Sequence, residues 1–180
     1  YTGKVVIPAK YNKAWIFSEG LAAVVEDGEL KFIDHGGNTV ISKGFEPSFM
    51  DESYLFKNGY CFIRDKQSGL IGVIDTVGNW VIEPAFSYVN YYGDYIHVRG
   101  NSFHGLYTKD LEVVLPLEYR DIHVDAYTKT ILARKGQDAP KLYDLNMNLL
   151  SDFVVDDVTY MVDGRAELDK FFALCFFHTM

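Results

Sequence analysis

Short apolar runs recur along the whole chain, and each ends in a turn signal. The run Leu21-Ala22-Ala23-Val24-Val25, for example, is followed by Asp27-Gly28, which favours a tight hairpin turn because glycine readily adopts positive φ. Apolar or aromatic runs of this length, bounded by turn residues, predict strands. The segments that we predict as strands are residues 3–9, 11–15, 21–26, 30–34, 39–41, 54–56, 60–64, 71–75, 80–82, 88–92, 95–98, 105–108, 121–125, 130–134 and 142–144.

One motif repeats within this pattern: apolar residues, a proline and then an aromatic residue. It occurs at residues 5–11 and returns at residues 81–86 and 113–119. A second marker is a strand that ends in a turn residue, and it recurs every 33 to 41 residues, at Asp34, Asp75, Thr108 and Asp144. A period of this size indicates stacked supersecondary units, and four short strands per period are typical of a propeller blade.

We therefore predict an all-β fold, a repeat array of short antiparallel four-stranded units that is propeller-like. About five blades are expected, with the N-terminal strand at residues 5–7 closing the last one. An open β-repeat solenoid is the alternative. Residues 1–180 are predicted to form a single repeat domain, and because Tyr1 falls within a repeat we expect a fragment of a longer chain.

The C-terminal segment allows two predictions. Residues 158–162 can begin a fifth unit with residues 171–177 as its outer hairpin, since that second run is almost wholly apolar, as in a buried strand. Residues 165–174 instead suit a helix, because Ala, Leu, Glu and Lys are good helix formers. We favour the strand.

The turns have a predictable chemistry. Those that begin at Asp34 and Asp75 have glycine at the fourth position, so the aspartate accepts a backbone N–H and the glycine takes the left-handed conformation. The third and fourth copies lack this glycine, and we expect looser turns there, with Asp110 and Asn146 tolerating the left-handed region. Gly20 is likewise expected to allow a backbone conformation or a close approach that a side chain would block.

Composition supports strands and argues against some partners. Aromatic residues make up 16% of the chain, and aromatic side chains suit half-buried pleated surfaces. The formal net charge is −8 and there is no basic stripe, so nucleic acid is not an expected partner, because phosphate binding depends on Lys and Arg. No apolar run approaches the ~20 residues that cross a bilayer, so we expect no membrane insertion by this segment.

The two cysteines, Cys61 and Cys175, lie in apolar runs and are expected to be buried free thiols. Such cysteines suit a reducing or an oxidising space, so the compartment stays open, with the cell envelope or another extracytoplasmic location favoured over the cytoplasm.

Two stretches and two glycines carry a family resemblance. The stretches are Val6-Ile7-Pro8-Ala9-Lys10-Tyr11 and Phe17-Ser18-Glu19-Gly20-Leu21-Ala22, and the glycines are Gly72 and Gly105. Together they resemble the bacterial WG-repeat family over about residues 3–145. The naming tryptophan is replaced throughout, by Leu30, Ile71 and His104. The resemblance implies a β-repeat scaffold, commonly a binding or interaction module, with no shared enzymatic activity.

One strand offers a candidate metal or acid–base group. Asp121, His123 and Asp125 alternate with apolar residues, so on a strand they share one face, and two carboxylates around an imidazole can hold a divalent metal. A solvated strand face, or a strand lining a wet channel, explains the same pattern, and we predict no metal site and no cofactor. His97 and His104 can meet across a hairpin, although we expect surface roles for both.

Tyrosines offer the candidate binding surface. The segment 87–95 carries four of them, and exposed tyrosines give rigid amphipathic contact area to a protein or a sugar ring. We predict Tyr91, Tyr92 and Tyr95 as binding residues, although some tyrosines of this segment must belong to the core.

The sequence contains no Gly-x-Ser-x-Gly elbow, no phosphate-binding glycine loop and no cysteine with a polar neighbourhood. We therefore predict a non-enzymatic protein-interaction or scaffolding module without catalytic residues, whose protein partner the sequence does not identify. The alternative is a glycan- or small-ligand-binding domain, acting either alone or with the assistance of a metal.

Overall fold

The computed structural model describes residues 5–47, 54–125 and 127–150, and the backbone of residues 158–162 and 165–168. All regular elements in this part of the chain are strands, and all their pairings are antiparallel, which confirms the all-β prediction. The strands are β1 Lys13–Ala14, β2 Ala22–Glu26, β3 Glu29–Ile33, β4 Thr39–Phe45, β5 Tyr60–Arg64, β6 Ile71–Asp75, β7 Trp80–Phe86, β8 Tyr88–Tyr92, β9 Tyr95–Gly100, β10 Phe103–Thr108, β11 Val113–Asp125, β12 Thr130–Lys135, β13 Lys141–Asp144, β14 Val158–Val162 and β15 Arg165–Leu168.

The chain divides into two compact units, which we call the N-terminal unit (Tyr1–Ser87) and the C-terminal unit (Tyr88–Met180). The N-terminal unit contains a four-stranded sheet, β1-β2-β3-β4, and a three-stranded sheet, β5-β6-β7. The C-terminal unit contains a six-stranded sheet, β13-β12-β11-β10-β9-β8, and the hairpin β14-β15. The single repeat domain over residues 1–180 stays a prediction.

In the N-terminal unit the two sheets enclose a core of aliphatic and aromatic side chains. Phe32 of β3 meets Phe56 edge to face with ring centroids 5.1 Å apart, and Trp15 meets Tyr54 at 4.9 Å. Cys61 is buried in this core as a free thiol, as predicted, while Cys175 lies outside the described residues. Burying an aromatic side chain removes 150–250 Å² of surface from water, so these rings dominate the packing energy of the unit.

The predicted N-terminal strand is wrong for residues 5–9, which form no strand in the structure. Pro8 has no N–H to donate to a ladder, and Ile7 instead packs with Tyr11 and Phe17 over the outer face of β2. Val5 is 75% exposed. Of this segment only Ile7 therefore packs on the first sheet, and the segment does not close a ring in the described part of the chain.

Residues 54–56 are also not a strand, contrary to the prediction. Tyr54 and Phe56 point into the core of the N-terminal unit and are almost fully buried. The Phe56 carbonyl accepts a hydrogen bond from the Ser18 hydroxyl at 2.5 Å, so a side chain satisfies it in place of a ladder partner.

At the C-terminus the structure agrees with the strand rather than the helix. Residues 158–162 and 165–168 pair as β14 and β15, so the alternative helix over 165–174 is wrong at its first turn. The predicted hairpin strand at residues 171–177 lies outside the described residues.

Three strand pairs share one irregularity that the sequence did not predict. The pairs are β3–β4, β6–β7 and β10–β11, and we call the first member of each the third strand of its repeat and the second member the fourth. In each pair, three residues of the fourth strand bulge opposite a single residue of the third. The flanking pairs are Leu30–Phe45 with Phe32–Ile41, Ile71–Phe86 with Val73–Ile82, and His104–Tyr119 with Leu106–Leu115. Pro84 and Pro116 lie within two of these bulges, where a missing N–H costs no ladder hydrogen bond. For this reason β4 and β7 continue past the predicted ends at residues 41 and 82.

The turn at the end of β3, β6, β10 and β13 has the same hydrogen bonds in all four copies. The side-chain oxygen of its first residue accepts the backbone N–H groups two and four residues on, as Asp34 does from Gly36 and Asn38 at 2.8 and 2.9 Å. The first residues of the other copies are Asp75, Thr108 and Asp144. These bonds confirm the predicted aspartate chemistry.

The expectation of looser turns in the third and fourth copies is wrong. Both keep the same backbone hydrogen bonds, from Leu111 to Thr108 at 3.0 Å and from Met147 to Asp144 at 3.1 Å. The left-handed residues are Leu111 (φ 66°) and Met147 (φ 64°) rather than Asp110 and Asn146. The side-chain and backbone hydrogen bonds of the turn determine its backbone geometry. The residue at the glycine position therefore adopts positive φ even when it is not glycine.

Candidate functional site

Three residues that the sequence singled out, Tyr92, His97 and His104, lie together near the β8 edge of the six-stranded sheet, beside Tyr88 and Arg99, which it did not single out. The hairpin β9–β10 closes with a two-residue loop, Asn101-Ser102, in which both residues have positive φ as a type I′ turn requires. This loop fixes the register and places His104 opposite Arg99 and one step diagonally from His97. On the other side of β9, Tyr88 pairs with Arg99. We call the set Tyr88, Tyr92, His97, Arg99 and His104 the tyrosine–histidine cluster.

The two imidazoles at the centre of the cluster are hydrogen-bonded to each other. His97 Nε2 lies 2.8 Å from His104 Nδ1, and the ring planes are inclined by only 18°. The ring centroids are 5.0 Å apart, only slightly less than the N···N distance plus two ring radii, so the bond runs nearly along the line of centres. One of the two facing nitrogens carries a proton and donates it to the lone pair of the other, and at this distance no metal ion fits between the rings.

Burial makes this pair unusual among the polar groups of the chain. His97 is only 8% exposed, and it is the one buried polar or charged residue among the described residues. Loss of solvation is the main cause that lowers the pKa of His97 to about 4, and the neighbouring His104 adds to it. Burial also lowers the pKa of His104. Both rings are therefore neutral at pH 7. The predicted surface role of His97 is wrong, because β9 turns it toward the sheet's covered face.

Aromatic rings and one cation surround the pair. The rings of Tyr88 and Tyr92 lie 6.4 and 6.2 Å from the His97 ring, centroid to centroid. The Arg99 guanidinium lies 5.9 Å above the Tyr88 ring, within reach of a cation–π contact. The cluster thus joins a neutral, buried hydrogen bond to a more exposed tyrosine–arginine pair.

The predicted binding tyrosines have different positions. Tyr91 is 47% exposed on β8, and Tyr88, which we did not select, is 43% exposed. Tyr92 and Tyr95 are half-buried and pack against the core of the C-terminal unit. The Tyr95 hydroxyl also donates a hydrogen bond to the Leu145 carbonyl at 2.9 Å. The binding role of all three stays a prediction, and Tyr91 is the most exposed of them.

Asp121, His123 and Asp125 lie on β11 as predicted, alternating with the buried Ile122 and Val124. Asp125 has a structural task, because its carboxylate accepts the N–H groups of Tyr127 and Thr128 in the turn to β12. Burial acts to raise the pKa of Asp125, but these hydrogen bonds outweigh it and leave the pKa lowered.

In the described part of the chain, no three His, Cys, Asp or Glu side chains are close enough together to hold a metal ion. Asp121 and His123 are exposed on β11, and the weak metal candidate of the sequence stays a prediction.

The turns at Gly20 and Gly59 show what links neighbouring repeats. Gly20 has φ 85° and Gly59 has φ 81°, and a Cβ on either would meet nothing within 4 Å. The expectation for Gly20 is thus confirmed as a backbone conformation rather than a close approach. The Glu19 carboxylate accepts the Gly59 N–H at 2.8 Å, which ties the turn of one repeat to the same turn of the next.

Comparison with known families agrees with these repeated features. The model of the WG containing repeat matches residues 1–29 and again residues 71–99. The chain contains WG repeats. The resemblance drawn from its sequence is thereby confirmed.

The structure explains the glycine of the WG repeat. A Cβ on Gly72 would lie 2.7 Å from the Ile82 carbonyl oxygen, and one on Gly105 would lie 3.3 Å from the Leu115 carbonyl oxygen. Both carbonyls belong to the bulged fourth strand. The WG glycine therefore lets the third strand approach the bulge closely.

Comparison with solved structures gives distant similarities. Hsv2 from Kluyveromyces lactis is 14% identical, with a TM-score of 0.38 over 77% of this chain and 49% of that one. A crystal structure titled as the eukaryotic initiation factor is 11% identical, with a TM-score of 0.41 over 84% of this chain and 45% of that one. The chain spans about half the length of these solved chains.

No curated protein matches the chain. Within the described residues no helix has the length and apolar character to cross a membrane.

Proposed function

We propose that the chain is a non-enzymatic interaction module in which rigid β sheets present exposed aromatic residues to a protein partner. The observation that carries this proposal is that β8, the edge strand of the six-stranded sheet, exposes Tyr88 on one face and Tyr91 on the other. Phe103 on β10 is exposed to a similar degree. Tyrosine side chains supply large contact area with few rotatable bonds, and they are enriched among residues that dominate binding energy.

Among the described residues, neither the histidine pair nor Cys61 of the N-terminal unit suits nucleophilic or acid–base chemistry. The two imidazoles are engaged with each other, and Cys61 is buried among apolar side chains, where a thiol is a poor nucleophile. We therefore extend the proposal to a chain that binds without catalysing and without a cofactor.

The proposal is tested by capture of binding proteins on immobilised chain. The variant Tyr88→Ala with Tyr91→Ala should lose a captured partner, with affinity reduced by about tenfold or more, because truncating one central interface tyrosine costs on the order of 1–2 kcal/mol. Tyr127→Ala is the matched control, since Tyr127 is exposed but lies in the turn between β11 and β12. Equal loss in both variants, or no loss in the first, contradicts the proposal.

A glycan or small ligand is the second candidate, favoured by the Tyr88–Arg99 pair. Aromatic faces beside polar hydrogen-bonding groups suit sugar rings, although Arg99 now lies over the face that a sugar would use. Binding of an oligosaccharide in a glycan screen, abolished by Arg99→Ala and without any captured protein, would favour this function.

The finer architecture also belongs to the proposal. We infer about five propeller-like blades from the recurrence of the same bulge and turn in successive repeats, with residues 5–9 taking no part in closing the ring. Small-angle X-ray scattering distinguishes a closed ring from an open array by the shape of its distance distribution.

A further inference from the structure

The geometry points to a proton-sensitive device: we propose that the His97–His104 pair holds strands β8 to β10 together at neutral pH and releases them in mild acid. It would regulate the surface proposed above, because Tyr88 and Tyr91 lie on β8. The effect of the histidine pair on partner binding rests on the proposed function, whereas the opening of strands β8 to β10 in acid does not.

The pair depends on being neutral. Two neutral imidazoles satisfy one donor and one acceptor between them at 2.8 Å without placing a charge in the covered face of the sheet. A first added proton leaves a charged ring in a site where His97 is 8% exposed. A second proton removes the acceptor, breaks the hydrogen bond and sets two like charges side by side.

The groups facing the pair do not relieve this penalty. Arg99 on β9 and His123 on β11 both disfavour a positive charge on His97, whereas Asp121 on β11 favours it. From β8 the pair meets only the aromatic rings of Tyr88 and Tyr92 among the ring contacts described. Burial outweighs the help from Asp121.

The sign of the effect follows from the proton balance. An unfolded histidine has a pKa of ~6.5, so it gains a proton as the pH falls below that value, while the paired His97, with its pKa lowered to about 4, does not. The open state of these strands binds more protons than the closed state between these two values. Local opening is therefore favoured as the pH falls, and protection is complete again above ~6.5.

Hydrogen–deuterium exchange at pH 7.5 and 5.0, corrected for intrinsic rates, tests the device without any partner. In the wild-type chain the protection of amides in β8 to β10 should fall by at least about tenfold at pH 5.0. In His97→Gln with His104→Gln, which has no titrating pair, that fall should shrink to less than about threefold. His123→Gln, an exposed histidine on the same sheet, should behave as the wild type.

An equal response in the wild type and the double variant overturns the inference. If the double variant does not fold, NMR titration of the wild-type ring protons decides: an apparent His97 pKa at or above its ordinary value also overturns it. The variant Tyr88→Ala with Tyr91→Ala could still capture its partner normally while the wild-type chain keeps its pH response in hydrogen exchange. That result would refute the proposed function and leave this device standing.

Discussion

Two equivalent positions of the repeat carry apolar residues in the N-terminal unit and histidines in the C-terminal unit. In the first sheet Leu30 lies beside the bulge and Ala23 lies diagonally across from it, and both are buried in the apolar core. In the six-stranded sheet the same places hold His104 and His97. The backbone around them is alike, down to the bulge and the turn that follows.

This difference separates what builds the repeat from what distinguishes it. The turn hydrogen bonds, the bulge and the close approach at the WG glycine recur, so they specify the fold. A buried polar pair contributes less to stability than apolar packing in the same place, because its groups lose water and gain only one hydrogen bond. The imidazole pair is therefore not among the features that specify the repeat.

The largest effect is expected when the C-terminal chemistry is moved into the N-terminal unit. Leu30→His buries a polar ring without a partner and removes apolar contacts, so the free energy of unfolding should fall by about 3–5 kcal/mol. Denaturant titration measures this. Val40→His, at an exposed position of β4, should change stability by no more than about 0.5 kcal/mol. A small effect of Leu30→His would show that the two places are not equivalent in their need for apolar packing.

The WG glycines should differ in a graded way. Gly72→Ala pushes a methyl group against a backbone carbonyl at 2.7 Å and should cost roughly 2–3 kcal/mol, whereas Gly105→Ala, at 3.3 Å, should cost about 1 kcal/mol. Thermal unfolding of the two variants ranks them. The reverse order would contradict the role of the bulge in positioning the third strand.

The imidazole pair should be costly to break but not to replace. His104→Leu alone leaves a buried His97 nitrogen without its partner, so stability at pH 7.5 should fall by about 1–3 kcal/mol. Adding His97→Ala removes the orphaned group and should restore most of that loss. A double-mutant cycle by urea unfolding gives the coupling energy between the rings, and additive effects would argue against a hydrogen bond between them.

The smallest effect concerns a turn. Leu111 adopts a left-handed backbone that glycine adopts freely, so Leu111→Gly should stabilise the chain by about 0.5–1 kcal/mol. Gly78→Leu makes the opposite change at the equivalent place and should destabilise it, since a Cβ there would lie 2.6 Å from the Ile41 side chain. Calorimetry of both variants checks the equivalence of the turns.

The sequence was sufficient for features that depend on local chemistry. Turn aspartates such as Asp34 and short apolar runs such as Leu21–Val25 determine their own structure, and the structure has both where they were predicted. Features that depend on partners distant in sequence were missed. In residues 5–9, Ile7 packs on a sheet face instead of pairing, and β7 runs through Pro84 because the bulge accommodates it.

The candidate site shows the same limit. The hairpin was enough to predict that His97 and His104 can meet, because a two-residue loop determines which residues lie opposite each other. Their burial did not follow, because it depends on the face of the sheet toward which β9 turns them. The exposure of Tyr88 and the hydrogen bond of Tyr95 to Leu145 also result from tertiary packing, which periodicity does not contain.

The most direct test compares the two units for their part in binding. Affinity for a captured partner should be measured for Tyr88→Ala with Tyr91→Ala in the C-terminal unit, and for Val40→Ala with Val81→Ala, equally exposed apolar positions in the N-terminal unit. We predict that the tyrosine variant loses about tenfold or more in affinity while the valine variant stays within about threefold of the wild type. A loss in the valine variant with unchanged binding by the tyrosine variant would contradict the account.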